Sequence, residues 1–129
     1  MRRPALLWLV SLLVACSSPV EPDANGNWGS TQAGLVISRS GGTLTLQCGS
    51  GLIDSTWTLT SAGEFTGSGV TFGGGGPDPI GGRPPRPSRF TGRISGDTFT
   101  LWFIVIGSET PAGPFRMQRN GPAISQVCL

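Results

Sequence analysis

Apolar side chains in this chain return at every second residue, and that period narrows the fold more than any other feature. In residues 43–48, Leu44, Leu46 and Cys48 fall on one side, with Thr43, Thr45 and Gln47 on the other. Leu35 and Ile37 alternate in the same way within 34–39, Trp57 and Leu59 within 56–60, and Phe90 and Ile94 within 89–94. Phe115 and Met117 do so within 114–119. Alternation of this kind belongs to a strand with one buried face. Residues 64–72 form a glycine-rich run carrying Phe65, Val70 and Phe72. Residues 98–106 make the longest strand and 123–128 a short last one. Ser40-Gly41-Gly42, Ala62-Gly63 and Gly96-Asp97 sit between runs, where glycine supplies the positive φ of a tight hairpin.

Eight short strands with no helical period predict an all-β antiparallel meander. So small a sheet escapes exposed edges best by closing on itself. The expectation is therefore a small up-and-down barrel of about eight strands, with a β-sandwich as the alternative. Residues 73–88 (GGGGPDPIGGRPPRPS) break the rhythm. Proline cannot donate to a central ladder, so this segment is expected to be a long loop.

The start of the chain is a different kind of segment. Met1-Arg2-Arg3 is a short positive stretch, and 5–14 is apolar apart from Ser11. A run of about ten residues is too short for a bilayer-spanning helix, which needs ~20. It has the form of a secretory leader. Leu13-Val14-Ala15-Cys16 resembles the lipobox of bacterial lipoproteins. That resemblance implies cleavage after Ala15, a diacylglyceryl group on the Cys16 thiol and an acyl chain such as palmitate on the new amine. Several acyl chains on one residue anchor firmly, where a single chain holds only reversibly. The expected organisation is a signal peptide at 1–15, a flexible tether at 16–27 and one domain at 28–129. The expected location is the cell envelope, lipid-anchored. Ser17 and Ser18, without Asp after the lipid site, imply by family analogy an outer membrane facing the periplasm where the host has two membranes.

Removing Arg2 and Arg3 with the leader leaves seven arginines against seven acids. A neutral domain carries no electrostatic signature of nucleic-acid binding. Cys16 goes to lipid, which leaves Cys48 and Cys128 as an even pair in an oxidising compartment. Their disulfide would close a loop of about 80 residues, and the chain-entropy model makes that worth roughly 4 kcal/mol.

Gly26-Asn27-Trp28 resembles the G-x-W motif that opens the first strand of lipocalins. There the Trp plugs one end of the barrel and a late-strand Arg packs across it. The resemblance assigns that part to Arg116 or Arg119. The domain is also similar to small lipid-anchored β-barrels of bacterial envelopes, with Cys48, the glycines of 63–69 and Cys128 at the recurring places. Some barrels of that general shape inhibit lysozymes or proteases.

Catalytic chemistry is sparse. The chain has no histidine and no tyrosine, so Ser-His-Asp and Cys-His arrangements are excluded, as are imidazole-based zinc sites. Gly73–Gly76 lacks the Lys-Ser/Thr and the helix of a phosphate-binding loop. Asp54, Glu64, Asp78 and Asp97 are the domain's candidate acids for glycoside hydrolysis, and turns and a strand start claim three of them. The expectation is a non-enzyme with no cofactor and no metal.

Two features point to binding. Arg83, Arg86, Arg89 and Arg93, interleaved with Pro84, Pro85 and Pro87, read as a stiff basic ridge for an anionic polymer or an envelope protein, or else as a solvated edge. The long strand has two apolar faces. Phe99, Leu101, Phe103 and Val105 form one, and Trp102, Ile104 and Ile106 form the other. The second must be covered by another segment or serve as a docking surface. The expected function is a non-catalytic binding or interaction module. The alternatives are a small hydrophobic-ligand carrier, needing a cavity lined by Trp57, Phe90 and Phe103, and a hydrolase inhibitor using the 73–88 loop.

Overall fold

A computed structural model describes residues 21–73 and 83–124, which form nine strands and no helix. In chain order these are β1 (Gly26–Gly29), β2 (Ala33–Ser38), β3 (Gly41–Leu46), β4 (Gly49–Ile53) and β5 (Thr58–Leu59). β6 (Glu64–Gly73), β7 (Arg86–Ser95), β8 (Thr98–Val105) and β9 (Ala112–Arg119) follow. All pairings are antiparallel. The ladder runs from β1 through β4, on to β6, and from β6 through β9 back to β1. Eight strands thus close an up-and-down barrel of lipocalin-like shape, and β5 adds a short extra pairing on β6. Closure pairs the edges that an open sheet would expose.

The interior is packed by a rule of opposites. Phe90 faces Gly67 across β6–β7, Phe65 faces Gly92, and Leu44 faces Gly51 across β3–β4. Ile37 faces Gly42, which in turn faces Ile53. A Cβ on Gly51 would stand 3.4 Å from Phe90 Cζ, and one on Gly67 3.1 Å from Ile53 Cγ2. Inward glycines therefore make room for large neighbours in a narrow barrel, the small/large alternation such a taper needs. Phe65, Phe90, Phe99, Leu35, Leu44, Leu101 and Met117 are fully buried. The two buried hydroxyls, Thr71 and Ser88, bond to each other at 2.8 Å, and Ser88 also donates to the Arg86 carbonyl. Neither is left unsatisfied, as burial requires.

One end of the barrel is plugged. Trp28, Phe99, Phe65 and Trp57 run ring to ring across it, with centroids 5.2–5.5 Å apart. Trp28 Nε1 donates to the Ala24 carbonyl and Trp57 Nε1 to the Ser38 carbonyl. Arg119 lies over Trp28 and donates to the carbonyls of Asp23 and Asn25. Of the two arginines expected for that place it is Arg119, because the register sets Trp28 beside it. Arg116 points outward, opposite Thr100.

Several expectations need correction. β4 is a strand that alternation did not reveal, because its inward positions 49 and 51 are glycines. Cys48 does not continue the face of Leu44 and Leu46; it stands exposed in the β3–β4 turn. The tether ends earlier than residue 27. Ala24 is buried, the carbonyls of residues 23–25 serve the plug, and β1 begins at Gly26. The 73–88 loop is shorter than expected, since Gly73 belongs to β6 and 86–88 to β7. Pro87 is tolerated in β7 because its missing donor falls past the last rung, Ser88–Val105, while its carbonyl still accepts from Ile106 N–H. Residues 123 and 124 are not a strand. The leader, the lipid site Cys16, Cys128 and loop residues 74–82, Asp78 among them, lie outside the described residues.

Candidate functional site

The tryptophans of the barrel divide into two kinds. Trp28 and Trp57 are buried, each donates its Nε1 to a carbonyl, and each carries an arginine over its ring, Arg119 at 4.2 Å and Arg39 at 4.3 Å. Both are occupied by the fold. Trp102 is half-buried on the outer face of β8 and, among the described residues, has no hydrogen-bond partner and no cation over its ring. Its ring edge lies on β9, with Cδ1 3.2 Å from the place a Cβ would take on Gly113. A side chain at 113 would lift the ring, so glycine there lets it lie against the wall.

The barrel register fixes what surrounds Trp102. Thr91 stands opposite it on β7, and Thr66 stands opposite Thr91 on β6. One row toward the plugged end, Glu64, Arg93, Thr100 and Arg116 follow one another across β6, β7, β8 and β9. On the other side, Ser68, Arg89 and Ile104 are aligned. Adjacent strands lie about 4.8 Å apart, so the Cα atoms of Arg93 and Arg116 bracket Thr100 at roughly 10 Å; Arg89 and Arg93 are ~13 Å apart along β7. All three arginines are exposed, and among the described residues none has an acidic group within ion-pair distance. A groove of about 370 Å³ runs here, lined by Glu64, Thr66, Thr91, Gly92, Arg93 and Trp102, with Arg89 and Arg116 outside its lining.

The basic ridge expected from sequence is therefore split. Arg89 and Arg93 join the Trp102 face. Arg86 shares the inward parity of Ser88 and Phe90; it emerges at the barrel mouth, where its guanidinium reaches over Gly73. Arg83 precedes β7 and is half-buried. Parity alone could have separated Arg86 from the rest. Arg116, Thr66 and Thr91 join the face only through cross-strand register, which no single segment carries.

The residues expected to line a ligand cavity are packed against one another among the described residues. Trp57 and Phe90 are core side chains, and Phe103 is wedged between Phe90 and Phe115, both at 5.9 Å. Asp54, Glu64 and Asp97 are exposed at separate places on the surface. Among the described residues no cluster of His, Cys, Asp and Glu could hold a metal.

The site thus belongs to the outer wall of a small closed β-barrel. No protein-family model matches the chain, and no curated protein or solved structure matches it.

Proposed function

We propose that this chain is a lipid-anchored cell-envelope protein, tethered through Cys16, that works as a non-catalytic interaction module. Its working surface is the outer face of β6–β9 around Trp102, and its partner is anionic. The observation that carries the reading is the contrast among the tryptophans. Two of the three barrel tryptophans are consumed by the fold, while the third lies half-exposed among three arginines that have no ion-pair partner among the described residues. Uncompensated arginines are suited to carboxylate and phosphate groups, which they can grip in bidentate fashion.

The anchor gives the face an orientation. Asp23 is held at the plugged end by Arg119. The seven residues from Cys16 to Asp23 span at most about 25 Å. The plugged end then lies toward the membrane, and the Trp102 wall faces sideways into the envelope. A Cys48–Cys128 disulfide belongs to the same reading. Gly121 and Pro122 cross β1 at Gly29, and Ile124 shares a groove with Thr43 and Thr45 of β3, the strand that runs into the turn holding Cys48.

Two measurements test this. Intact-mass analysis of the native protein is expected to give a chain beginning at a triacylated Cys16. The full chain in detergent micelles is expected to bind immobilised poly-glutamate or another polyanion in a salt-dependent way, and the triple variant R89Q/R93Q/R116Q to lose that binding. An unmodified amino terminus removes the anchor, and polyanion binding unchanged in the triple variant removes the face.

A further inference from the structure

Resting on that reading, we propose that the ligand of the Trp102 face is an acidic polysaccharide, whose sugar ring stacks on Trp102 and whose carboxylates are held by Arg93, Arg116 and Arg89. The surface is built for a flat, hydroxylated, charged chain. Trp102 offers a ring face and an Nε1 donor with no partner among the described residues. The apolar C–H face of a pyranose fits such a ring. Thr66 and Thr91 continue across the barrel from Trp102 as a row of hydroxyls, able both to donate to and accept from sugar hydroxyls. Arg93 lines the same groove as Trp102, Thr66 and Thr91, so a ring stacked on Trp102 has a guanidinium beside it.

Charge decides between a neutral and an acidic sugar. Arg93 and Arg116 flank the row beside Trp102 at roughly 10 Å and Arg89 lies ~13 Å along β7 from Arg93. Glu64 is the one acid in the rows around Trp102; it faces Arg93 but makes no ion pair with it among the described residues. Three cations against one anion leave the face positive, and arginines on backbone positions this far apart can each take a different carboxylate of a repeating chain. Protein partners are a poorer fit. Interface cores concentrate several large apolar groups, whereas here Ile104 and the exposed Ile106 follow Trp102 in single file along one edge, and its row neighbours on β6 and β7 are threonines.

The experiment uses the full chain in detergent micelles over three immobilised polymers: polygalacturonate, neutral dextran and poly-glutamate. Wild type is expected to bind polygalacturonate, to ignore dextran and to bind poly-glutamate at least about tenfold more weakly, a gap of 1.4 kcal/mol. Trp102→Ala is expected to weaken polygalacturonate binding about tenfold without changing the melting temperature, and Trp102→Phe to recover most of it. Poly-glutamate binding should be insensitive to Trp102→Ala. Equal affinity for poly-glutamate and polygalacturonate overturns the polysaccharide inference while leaving the anionic face standing. So does a Trp102→Ala variant that binds polygalacturonate like wild type. Failure to bind either polyanion overturns both.

Discussion

The guanidinium carbon of Arg119 lies 4.2 Å above the ring centroid of Trp28, and the same guanidinium donates to the carbonyls of Asp23 and Asn25. One side chain near the end of the chain thus fastens the entry of the first strand to the last. The contact joins residues 94 and 96 positions apart in sequence. Its ion pair with Asp97, at 3.5 Å, is a lesser part, because the Asp97 side chain is 82% exposed.

Arg119→Ala should therefore cost about 2 kcal/mol, combining a cation–π contact with two charge-assisted hydrogen bonds. Arg119→Lys should recover less than half, since an ammonium cannot reach both carbonyls as a planar fork does. Asp97→Ala should change stability by less than about 1 kcal/mol. Urea denaturation followed by tryptophan fluorescence ranks the three. A cost for Asp97→Ala as large as for Arg119→Ala would make the ion pair the fastening.

The buried hydroxyl pair is asymmetric. Ser88 donates to the Arg86 carbonyl, so Thr71 must supply the proton for the bond between the two hydroxyls. Ser88→Ala leaves a buried donor on Thr71 without a partner, costing ~1–3 kcal/mol. Thr71→Val leaves Ser88 its bond to Arg86 and should cost less. The double variant should cost less than the sum of the two, because removing both partners strands neither. A double-mutant cycle reads the coupling directly.

Much of this fold is legible in the sequence because alternation is local. Leu35, Ile37, Leu44, Phe90, Phe99 and Met117 lie inside as their period requires, and Gly26-Asn27-Trp28 opens β1 as its motif implies. What stays hidden is whatever glycine erases or register creates. β4 has no periodic signal because two of its three inward positions, 49 and 51, are glycines, Gly51 lying opposite Leu44 and beside Phe90, which leaves Ile53 alone. The binding face is harder still to read. Arg93 and Arg116 are 23 positions apart in the chain and become neighbours of Thr100 only when β7, β8 and β9 are aligned. Trp102 could be singled out early because two apolar faces on one strand are one too many.

The pairing of large residues with glycine predicts how the barrel answers to emptying and to crowding. Phe90 is fully buried, and Gly67 stands opposite it with no side chain to move into a vacancy. Phe90→Ala should thus leave a persistent apolar cavity and cost 3–5 kcal/mol, the usual range for such a truncation. The emptied barrel should take up a fluorescent hydrophobic dye that the wild type excludes. Gly67→Ala tests the converse, since its Cβ would meet Ile53 Cγ2 at 3.1 Å and Trp57 Cβ at 3.3 Å. Overpacking of that kind costs about 1–3 kcal/mol. In the double variant the new methyl has the vacated side to relax toward, so F90A/G67A should be less destabilised than the two losses added together. Strictly additive losses, with dye uptake already present in the wild type, would mean that the interior is not filled by this complementarity and that a carrier's cavity is open within it.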